Sequence, residues 1–272
     1  MLRSIWRAKW FFYFSIIDGI DFFLGRREPL TPPKRKIYIG GGHFKKQGQD
    51  FLQHFIKIGK LKPHEKVADI GCGIGRMAVP LTKYLDSSGS YEGLDIVVDG
   101  IQWCNKNITP QYPNFHFQLA DVFNQLYNPS GKQKPSEYRF PYKNETFDFV
   151  ILTSVFTHIL PQDVEHYFSE VMRVLKVGGR CFATFFLLNS ESIELINKKL
   201  SAVDFKYDIG GFHRTFDHRV PEEAVAHDEA FILSLYEKFG FKIEGPIHYG
   251  SWCPRNNFVS HQDIIVALKI RA

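Results

Sequence analysis

The sequence has few cysteines and no long apolar run, and each shortage excludes a class of protein. The four cysteines among 272 residues are widely spaced and form no CxxC pair, so we predict neither a zinc site nor a disulfide framework. The longest apolar stretch, Trp10–Ile17, is interrupted at once by Asp18 and Asp21, whereas a spanning helix needs about 20 apolar residues. No small-residue cleavage site follows it, which argues against a signal peptide. We therefore expect a cytoplasmic protein without a transmembrane span.

The charge balance is also too weak for a nucleic-acid-binding surface. The formal net charge is +5, and such a surface would need its basic residues on one face. Here they cluster mainly outside the predicted core, at Arg3, Arg7, Lys9, Arg26, Arg27, Lys34, Arg35 and Lys36. With 44% hydrophobic residues, the chain is long enough for one large α/β domain with additions.

A D-x-G-x-G-x-G pattern joins a predicted strand at residues 66–70 to a predicted helix. Asp69 lies at the carboxyl end of the strand, where open α/β sheets bind ligands. Gly71 and Gly73 let the backbone turn tightly and approach a ligand closely. A dinucleotide-binding loop has G-x-G-x-x-G instead and cradles a pyrophosphate, which a carboxylate would repel. The pattern therefore argues against a nicotinamide oxidoreductase and suits a ligand with an ammonium group.

Further strands follow in order, and two of them end in an acid. Residues 90–96 contain Asp95, which follows Gly75 by 20 positions, the separation at which an acid binds ribose hydroxyls in doubly wound nucleotide sites. Residues 115–121 end in Asp121, and residues 147–154 form a fourth predicted strand. A helix over 162–175 then leads through a Gly-Gly turn to a fifth strand at 180–188.

These ordered motifs, over roughly residues 60–190, resemble those of the class I S-adenosylmethionine (SAM)-dependent methyltransferases of small-molecule type. The resemblance implies a Rossmann-like, doubly wound α/β fold with a mostly parallel seven-stranded sheet and an antiparallel last strand. We assign residues 37–272 to this domain, with insertions at 122–142 and 189–221. A helix over 224–239 and strands at 241–247 and 258–269 would complete it.

The resemblance also implies how the amino-acid end of SAM is bound. Asp69 would lie near the ammonium group, directly or through water, and Gly71 and Gly73 would bring the backbone close. Thr153 would offer its carbonyl to the same ammonium group. Arg76 would either bond the SAM carboxylate or serve only as a helix residue.

For the adenosine end, the resemblance places Asp95 on both ribose hydroxyls and Ile96 beside the adenine ring. Asp121 would accept from the adenine amine, and the Val122 N–H would be available to a ring nitrogen. A strand-end cap is the alternative role for Asp95, but Asp69 and Asp121 occupy equivalent edges of neighbouring strands.

His158 is the candidate general base, because it follows the fourth strand and a neutral imidazole titrates in the useful range. Its alternative role is to cap or pack the short helix there. Residues 152–156 lack the Asn/Asp-Pro-Pro-aromatic motif of nucleic-acid amino-methyltransferases, so we expect no nucleic-acid partner. His213, Asp217 and His218 lack further ligands at a recognisable spacing, and we predict no metal site.

The acceptor predicted from the sequence is a small or lipid-linked molecule methylated at oxygen. A small amine methylated at nitrogen and a SAM-binding sensor or scaffold without transfer activity are the alternatives. The sequence makes no prediction of the oligomeric state.

Residues 1–36 are predicted to form an amphipathic helical extension and a proline-rich connector. The helix within residues 1–30 has one broad apolar face, which suits a membrane interface with basic flanks near anionic lipid. The alternative is packing of that face on the protein's own domain or on a second subunit. Residues 37–44, rich in glycine, are interpreted as part of a cofactor lid, with a flexible loop as the alternative.

Overall fold

The computed structural model describes residues 2–37 and 43–271, with side chains from residue 12 onwards in the first range. The helices in these ranges are α1 Leu2–Phe23, α2 Phe44–Lys57, α3 Ala78–Leu81, α4 Val98–Asn107, α5 Pro161–Val174, α6 Ser190–Asn197 and α7 Glu229–Lys238. The strands are β1 Lys66–Ile70, β2 Ser90–Asp95, β3 Phe115–Leu119, β4 Phe147–Leu152, β5 Leu175–Phe185, β6 Leu187–Leu188, β7 Tyr207–Asp208, β8 Arg214–Thr215, β9 Val225–Asp228, β10 Phe241–Ile243 and β11 Asp263–Lys269. Short 3₁₀ turns cover Lys34–Lys36, Phe156–His158 and Pro221–Glu223.

The main sheet has seven strands in the order β10-β11-β5-β4-β1-β2-β3. Strand β1 pairs in parallel with β2 and β4, while β11 is antiparallel to both β5 and β10. The strand order reverses direction between β4 and β1, and this is the switch point at which open α/β sheets bind ligands. The predicted fold class is thereby confirmed.

Both faces of this sheet are buried because alternate strand residues point to opposite sides. Val67 and Phe149 belong to the cluster that contains residues of α2, α3 and α4. Ala68 and Val150 belong to the opposite cluster, with residues of α5 and α7. The largely apolar sequences of the central strands β1 and β4 follow from this burial on both sides.

The first four strands lie within two residues of their predicted ends, whereas the fifth is wrong at both ends. Strand β5 begins at Leu175, and its pairing with β4 shifts between Phe147 and Phe149, where the Gly178–Gly179 segment bulges out. Gly178 has φ +81°, so the predicted turn lies inside the strand. The predicted residues Leu187–Leu188 leave the main sheet and form β6 of a second sheet.

The prediction of a single helix over Ala224–Phe239 is wrong in its first third. Val225–Asp228 form β9, which pairs with β8 and β6, and the helix α7 begins only at Glu229. The Asp228 carboxylate accepts a hydrogen bond of 2.8 Å from the Phe231 N–H and so caps the helix. The last two strands of the main sheet are also shorter than predicted, at Phe241–Ile243 and Asp263–Lys269.

Two of the four strands of the second sheet, β7 and β8, lie in the 189–221 insertion, which had no predicted elements. Its strand order is β6-β9-β8-β7, and Phe186, Phe205 and Trp252 pack in a separate apolar cluster with Leu188 of β6 and Ala226 of β9. The 122–142 insertion forms only isolated bridges, such as that between Val122 and Gln133. Both insertions follow carboxyl ends of main-sheet strands.

The N-terminal extension is the predicted helix followed by the predicted connector. Helix α1 ends where Gly25 takes φ +62°, a conformation that glycine adopts without steric cost. Pro32 and Pro33 of the connector are buried, and Leu30 and Ile37 pack against the cluster that includes α2. None of the helices in the described parts of the chain has both the length and the hydropathy needed to cross a bilayer.

Candidate active site

One large cavity opens at the carboxyl edge of the main sheet, beside the switch point. It encloses about 1200 Å³ of space, a volume that includes the part open to solvent. Residues that follow β1, β2, β3 and β4 line it, together with residues of both insertions.

The glycine loop forms the floor of this cavity after β1. Gly71 and Gly73 line it and have φ values of +84° and +58°. A Cβ on Gly71 would come within 2.5 Å of Val155 Cγ2, so no other residue fits without a shift. The Gly71 and Cys72 N–H groups donate to the Leu94 carbonyl at 2.7 and 3.1 Å. The loop is therefore fixed against the end of β2.

Asp95, at the end of β2, lines the cavity and is only 8% exposed. Its Oδ2 accepts from the Gly73 N–H at 2.7 Å, and its Oδ1 accepts from the Val97 N–H at 2.8 Å. Burial raises the pKa of this carboxyl, and these backbone donors act in the opposite direction. The same side chain thus caps the strand end and faces the ligand space.

Asp69 lies behind the loop and is not among the residues that line the cavity. Its Oδ2 accepts from the Tyr91 hydroxyl, while its buried Oδ1 has no hydrogen-bond partner among the described residues. Burial raises the pKa of the Asp69 carboxyl to about 7, against the opposing effect of the Tyr91 hydroxyl. An unpartnered carboxylate oxygen next to the glycine loop suits a nearby ammonium group, reached directly or through water.

Four further predicted cofactor residues line the cavity: Arg76, Ile96, Val122 and Thr153. Arg76 Nη1 donates to Gln47 Oε1 of α2 at 2.6 Å, which connects the glycine loop with that helix. The Thr153 hydroxyl is buried and has no hydrogen-bond partner among the described residues. Of the predicted lid, Tyr38–Gly42 lie outside the described residues, and Phe44 lines the cavity from the start of α2.

Asp121 is exposed and does not line the cavity. Its Oδ1 accepts from the Lys132 N–H at 3.2 Å, so it fixes the first insertion onto the end of β3. The residues on either side of it, Ala120 and Val122, line the cavity. Its predicted contact with the adenine amine stays a prediction.

His158 lies in the 3₁₀ turn Phe156–His158 and lines the same cavity. Its Nδ1 is 2.8 Å from the Glu222 carbonyl oxygen. Because a carbonyl only accepts hydrogen bonds, Nδ1 carries the proton, and in the neutral ring Nε2 is the basic nitrogen. Burial lowers the pKa of this imidazole, and the Glu222 carbonyl acts in the opposite sense. The neutral form therefore predominates at neutral pH.

Several cavity residues were not predicted as site residues from the sequence. They include Tyr127, Tyr138, Phe140, Asp163, Tyr167 and Glu222. Glu222 reaches the cavity from the end of the second insertion, and its Oε2 accepts from the Gln125 N–H at 3.1 Å. Burial raises the pKa of the carboxyls of both Asp163 and Glu222. The only available signal was that both insertions follow carboxyl ends of strands, where substrate is bound.

Ser154 is another cavity residue that local sequence gives no reason to select. Its φ is +60°, a left-handed conformation that is uncommon outside glycine and is concentrated at functional sites. Its N–H donates to Thr184 Oγ1 at 2.8 Å, and its hydroxyl donates to Gln262 Oε1 at 2.9 Å. These bonds fix the backbone immediately after Thr153.

Comparison with known proteins identifies the class to which this site belongs. Residues 68–183 match the family model of a methyltransferase domain. A phosphoethanolamine N-methyltransferase of Arabidopsis thaliana is 26% identical over 54% of this chain, which spans only 26% of that enzyme's length. A demethylmenaquinone methyltransferase of Lactiplantibacillus plantarum is 24% identical over 67% of this chain and 72% of its own length.

Solved structures agree in fold. The PH0226 protein of Pyrococcus horikoshii OT3 superposes with a TM-score of 0.58 at 18% identity, covering 87% of this chain and 95% of its own. A SAM-dependent methyltransferase of Methanosarcina mazei superposes with a TM-score of 0.54 at 20% identity, covering 80% of this chain and 98% of its own. The fold, the glycine loop and the matched methyltransferase domain support a class I SAM-dependent methyltransferase. The matched domain likewise supports SAM as the cofactor.

Three features in or directly behind the cavity wall suit SAM. The unpartnered Asp69 oxygen lies behind the glycine loop, the glycines let the backbone of that loop approach a ligand closely, and Asp95 presents its carboxyl to the cavity. Asp69 and the loop would hold the amino-acid end of SAM, and Asp95 the ribose. When bound there, SAM supplies an electrophilic methyl group on a sulfonium cation.

Proposed function

We propose that this enzyme transfers the methyl group of SAM to a hydroxyl oxygen of an apolar acceptor, which is small or linked to a lipid. The position of His158 carries the proposal: a neutral imidazole lines the cavity that also contains the cofactor residues. Its Nδ1–H is held by the Glu222 carbonyl, so Nε2 is available as the proton acceptor. A hydroxyl acceptor usually needs such a base, and base catalysis contributes about 10²–10⁴-fold.

In the proposed reaction His158 removes the acceptor's hydroxyl proton. The O–H bond breaks with transfer of its proton to Nε2, the oxygen forms a bond to the methyl carbon, and the bond from that carbon to sulfur breaks. The products are a methyl ether, the imidazolium of His158 and S-adenosylhomocysteine. Catalysis then rests on positioning and on exclusion of water by the two insertions.

The walls of the cavity support an apolar acceptor. Beyond the glycine loop they are formed largely by aromatic and aliphatic side chains, among them Phe123, Tyr138, Phe140 and Ile159. Such walls stabilise a ring or chain through burial of apolar surface. The demethylmenaquinone methyltransferase among the relatives bears the name of an apolar acceptor, in keeping with this proposal.

A second candidate is methylation of a small amine, which two carboxyls in the cavity favour. Asp163 and Glu222 lie among tyrosines, and a carboxylate with aromatic rings suits an ammonium group. A plant relative is named as a phosphoethanolamine N-methyltransferase. The carboxyls weigh less than His158 in this proposal, because burial raises the pKa of both and so disfavours their charged forms.

An acceptor panel separates the two candidates. The enzyme would be incubated with SAM labelled in its methyl group and with phenols and hydroquinones, with and without isoprenoid tails, and with primary and secondary amines. We expect labelled ethers from hydroxyl acceptors, with faster transfer to those that carry tails, as measured by mass spectrometry of product and S-adenosylhomocysteine. Transfer to amines alone would replace the first proposal with the second.

A further inference from the structure

Helix α1 presents a continuous apolar face to solvent. At 100° per residue, six exposed residues fall within an arc of about 120°; they are Phe12, Tyr13, Ile16, Ile20, Phe23 and Leu24. The exposed fraction reaches 70% at Phe12 and 90% at Phe23. Isolated surface apolar residues are ordinary, but an aligned row of this length marks an interaction surface.

The opposite face of α1 is held by the connector. The Asp18 carboxylate, 5% exposed, accepts from the backbone N–H groups of Lys34 and Arg35 at 2.6 and 3.1 Å. Asp21 Oδ2 forms an ion pair with Lys34 Nζ at 2.9 Å. Because Asp18 lies opposite the centre of the apolar arc, these bonds keep the arc turned away from the connector.

We propose that α1 binds the surface of an anionic membrane through this arc. The charges next to the arc favour an anionic lipid surface over a protein as its partner. Arg26 and Arg27 are exposed immediately after the helix, and the Arg27 guanidinium lies over the Phe22 ring, 5.5 Å from its centroid. A helix with an apolar face and basic residues at its end binds the boundary between headgroups and acyl chains. Each basic residue near an anionic surface adds about fivefold in affinity, from about 1 kcal/mol.

The connector after α1 is joined by an ion pair to the start of α2, a helix that contributes to the wall of the cavity. Glu28 forms an ion pair with Lys45 in the first turn of α2, and the adjacent Phe44 lines the cavity. An acceptor dissolved in the membrane would therefore reach the enzyme near the cavity. This step rests on the proposed function, whereas membrane binding itself does not.

Vesicle flotation tests the binding without any need for activity. The full-length protein would be mixed with vesicles of phosphatidylcholine alone and of phosphatidylcholine with phosphatidylglycerol in a two-to-one ratio. We expect flotation with the anionic vesicles, lost at least about tenfold in the triple variant Phe12→Ser, Ile16→Ser, Ile20→Ser. The double variant Arg26→Glu, Arg27→Glu should lose binding to a similar extent through charge alone.

A matched triple variant elsewhere on the surface controls for a general loss of apolar area. Leu200, Phe212 and Phe258 are 56%, 77% and 56% exposed, and their replacement by serine should leave flotation unchanged. Thermal unfolding and methyl transfer to a water-soluble acceptor should be the same in all these variants. Absence of flotation by the wild type would overturn the proposal, as would equal flotation of both triple variants. A dimer in solution that the α1 triple variant alone dissociates, without vesicle binding, would assign the arc to a second copy of the chain.

Discussion

At the scale of single residues, burial displaces the pKa values of Asp69, behind the glycine loop, and of His158, which lines the cavity, and each displacement has a consequence in solution. Asp69 and His158 both favour their neutral forms in the folded protein. For Asp69 the neutral form is the acid, and for His158 it is the free base. Their pH dependences therefore concern different steps, cofactor binding and proton removal.

Asp69 should make SAM binding depend on pH. The carboxyl has a pKa of about 7 in the folded protein and 3.8 as its ordinary value, so it lowers the stability of the unliganded fold as pH rises from about 4 to about 7. An ammonium group favours the ionised form, so binding should release a proton there. We expect affinity for SAM to be about tenfold weaker at pH 6 than above pH 7, as measured by calorimetry.

The variant Asp69→Asn tests this linkage. The amide oxygen of the asparagine can still accept the hydrogen bond from the Tyr91 hydroxyl, but the side chain cannot ionise. Its affinity should be low and nearly constant between pH 6 and pH 7.5. Proton release, measured in buffers of different ionisation enthalpy, should vanish. An affinity in Asp69→Asn that keeps the wild-type pH dependence would assign the linkage to another group.

His158 should set the rate of methyl transfer. In His158→Asn the amide nitrogen can still donate to the Glu222 carbonyl, but no basic nitrogen remains. We expect kcat to fall about 10²–10³-fold with unchanged affinity for SAM, as measured by steady-state kinetics and calorimetry. His116→Asn, at an exposed histidine on β3, is the matched control.

The pH profile provides a second readout for His158. The base acts when it is neutral, so the rate should rise with pH, and the midpoint of the rise should lie below the ordinary histidine value of 6.5, because burial lowers the pKa. This limb should be missing from His158→Asn. A variant that retains the wild-type kcat and profile would leave His158 with a packing role only.

At the scale of elements, the strands that meet at the cavity are predictable, and those of the second sheet are not. Strands β1 and β4 are largely apolar, β2 and β3 alternate in part, and β1 to β3 end at or near a glycine or an acid, so all four are recognisable locally. Val225–Asp228 instead pair with Arg214–Thr215 and Leu187–Leu188. Strands of two to four residues are too short to show an alternating pattern, and their partners are distant in sequence. The pattern before α7 therefore resembled a continuation of the helix.

The same reasoning separates the predicted site residues from those that were missed. The glycine loop, Asp95 and Thr153 lie at strand ends, so topology alone places them together. Glu222 and Tyr127 reach the cavity only because the two insertions bond to each other, as in the hydrogen bond from Gln125 Nε2 to the Arg219 carbonyl. Asp121 shows the converse: it lies at an equivalent strand end, yet its side chain bonds to the first insertion.

The second sheet also supports the turn that carries His158. His227 of β9 is fully buried, and its Nε2 donates to the Phe156 carbonyl at 2.8 Å. Its Nδ1 lies 3.3 Å from Nδ1 of His213, a residue of the second insertion. His227 thus bonds β9 to the turn that carries His158 and lies against His213 of the insertion.

His227 should make folding stability depend on pH. Burial lowers its pKa to about 4 from 6.5, so the unfolded chain binds the additional proton between these values. Its contribution to stability is complete above about pH 6.5 and is lost as pH falls toward 4. The difference between the two pKa values corresponds to a loss of roughly 3 kcal/mol in the free energy of unfolding. Denaturant unfolding at pH 5 and pH 7 should show a smaller difference in His227→Gln than in the wild type.

Replacement of His227 should also affect the reaction through the position of His158. In His227→Gln the amide nitrogen can still donate to the Phe156 carbonyl, whereas His227→Leu leaves that carbonyl without its donor, at a cost of about 1–3 kcal/mol. We expect a lower kcat in the leucine variant, with rescue by glutamine and little change in SAM affinity. Equal kcat in both variants would show that His227 does not position the turn that carries His158.

At the scale of the whole molecule, the proposed membrane helix and the proposed acceptor predict a common behaviour. Methyl transfer to an acceptor with an isoprenoid tail should be faster on anionic vesicles than on neutral ones. Because attraction between Arg26–Arg27 and lipid is screened by salt, the difference should shrink as ionic strength rises. Initial rates at low and high salt check this, with a water-soluble acceptor as the control that should show no such difference.

The central claim is that the cavity at the switch point binds SAM through the glycine loop and Asp95 for methyl transfer. Calorimetric titration with SAM tests it most directly, on the wild type, on Asp95→Ala and on Asp99→Ala, an exposed acid in the first turn of α4. We predict micromolar binding by the wild type and Asp99→Ala, and at least about 100-fold weaker binding by Asp95→Ala, because two hydrogen bonds to a charged group are lost. Absence of binding by a folded wild type, or binding that Asp95→Ala retains, would contradict the account.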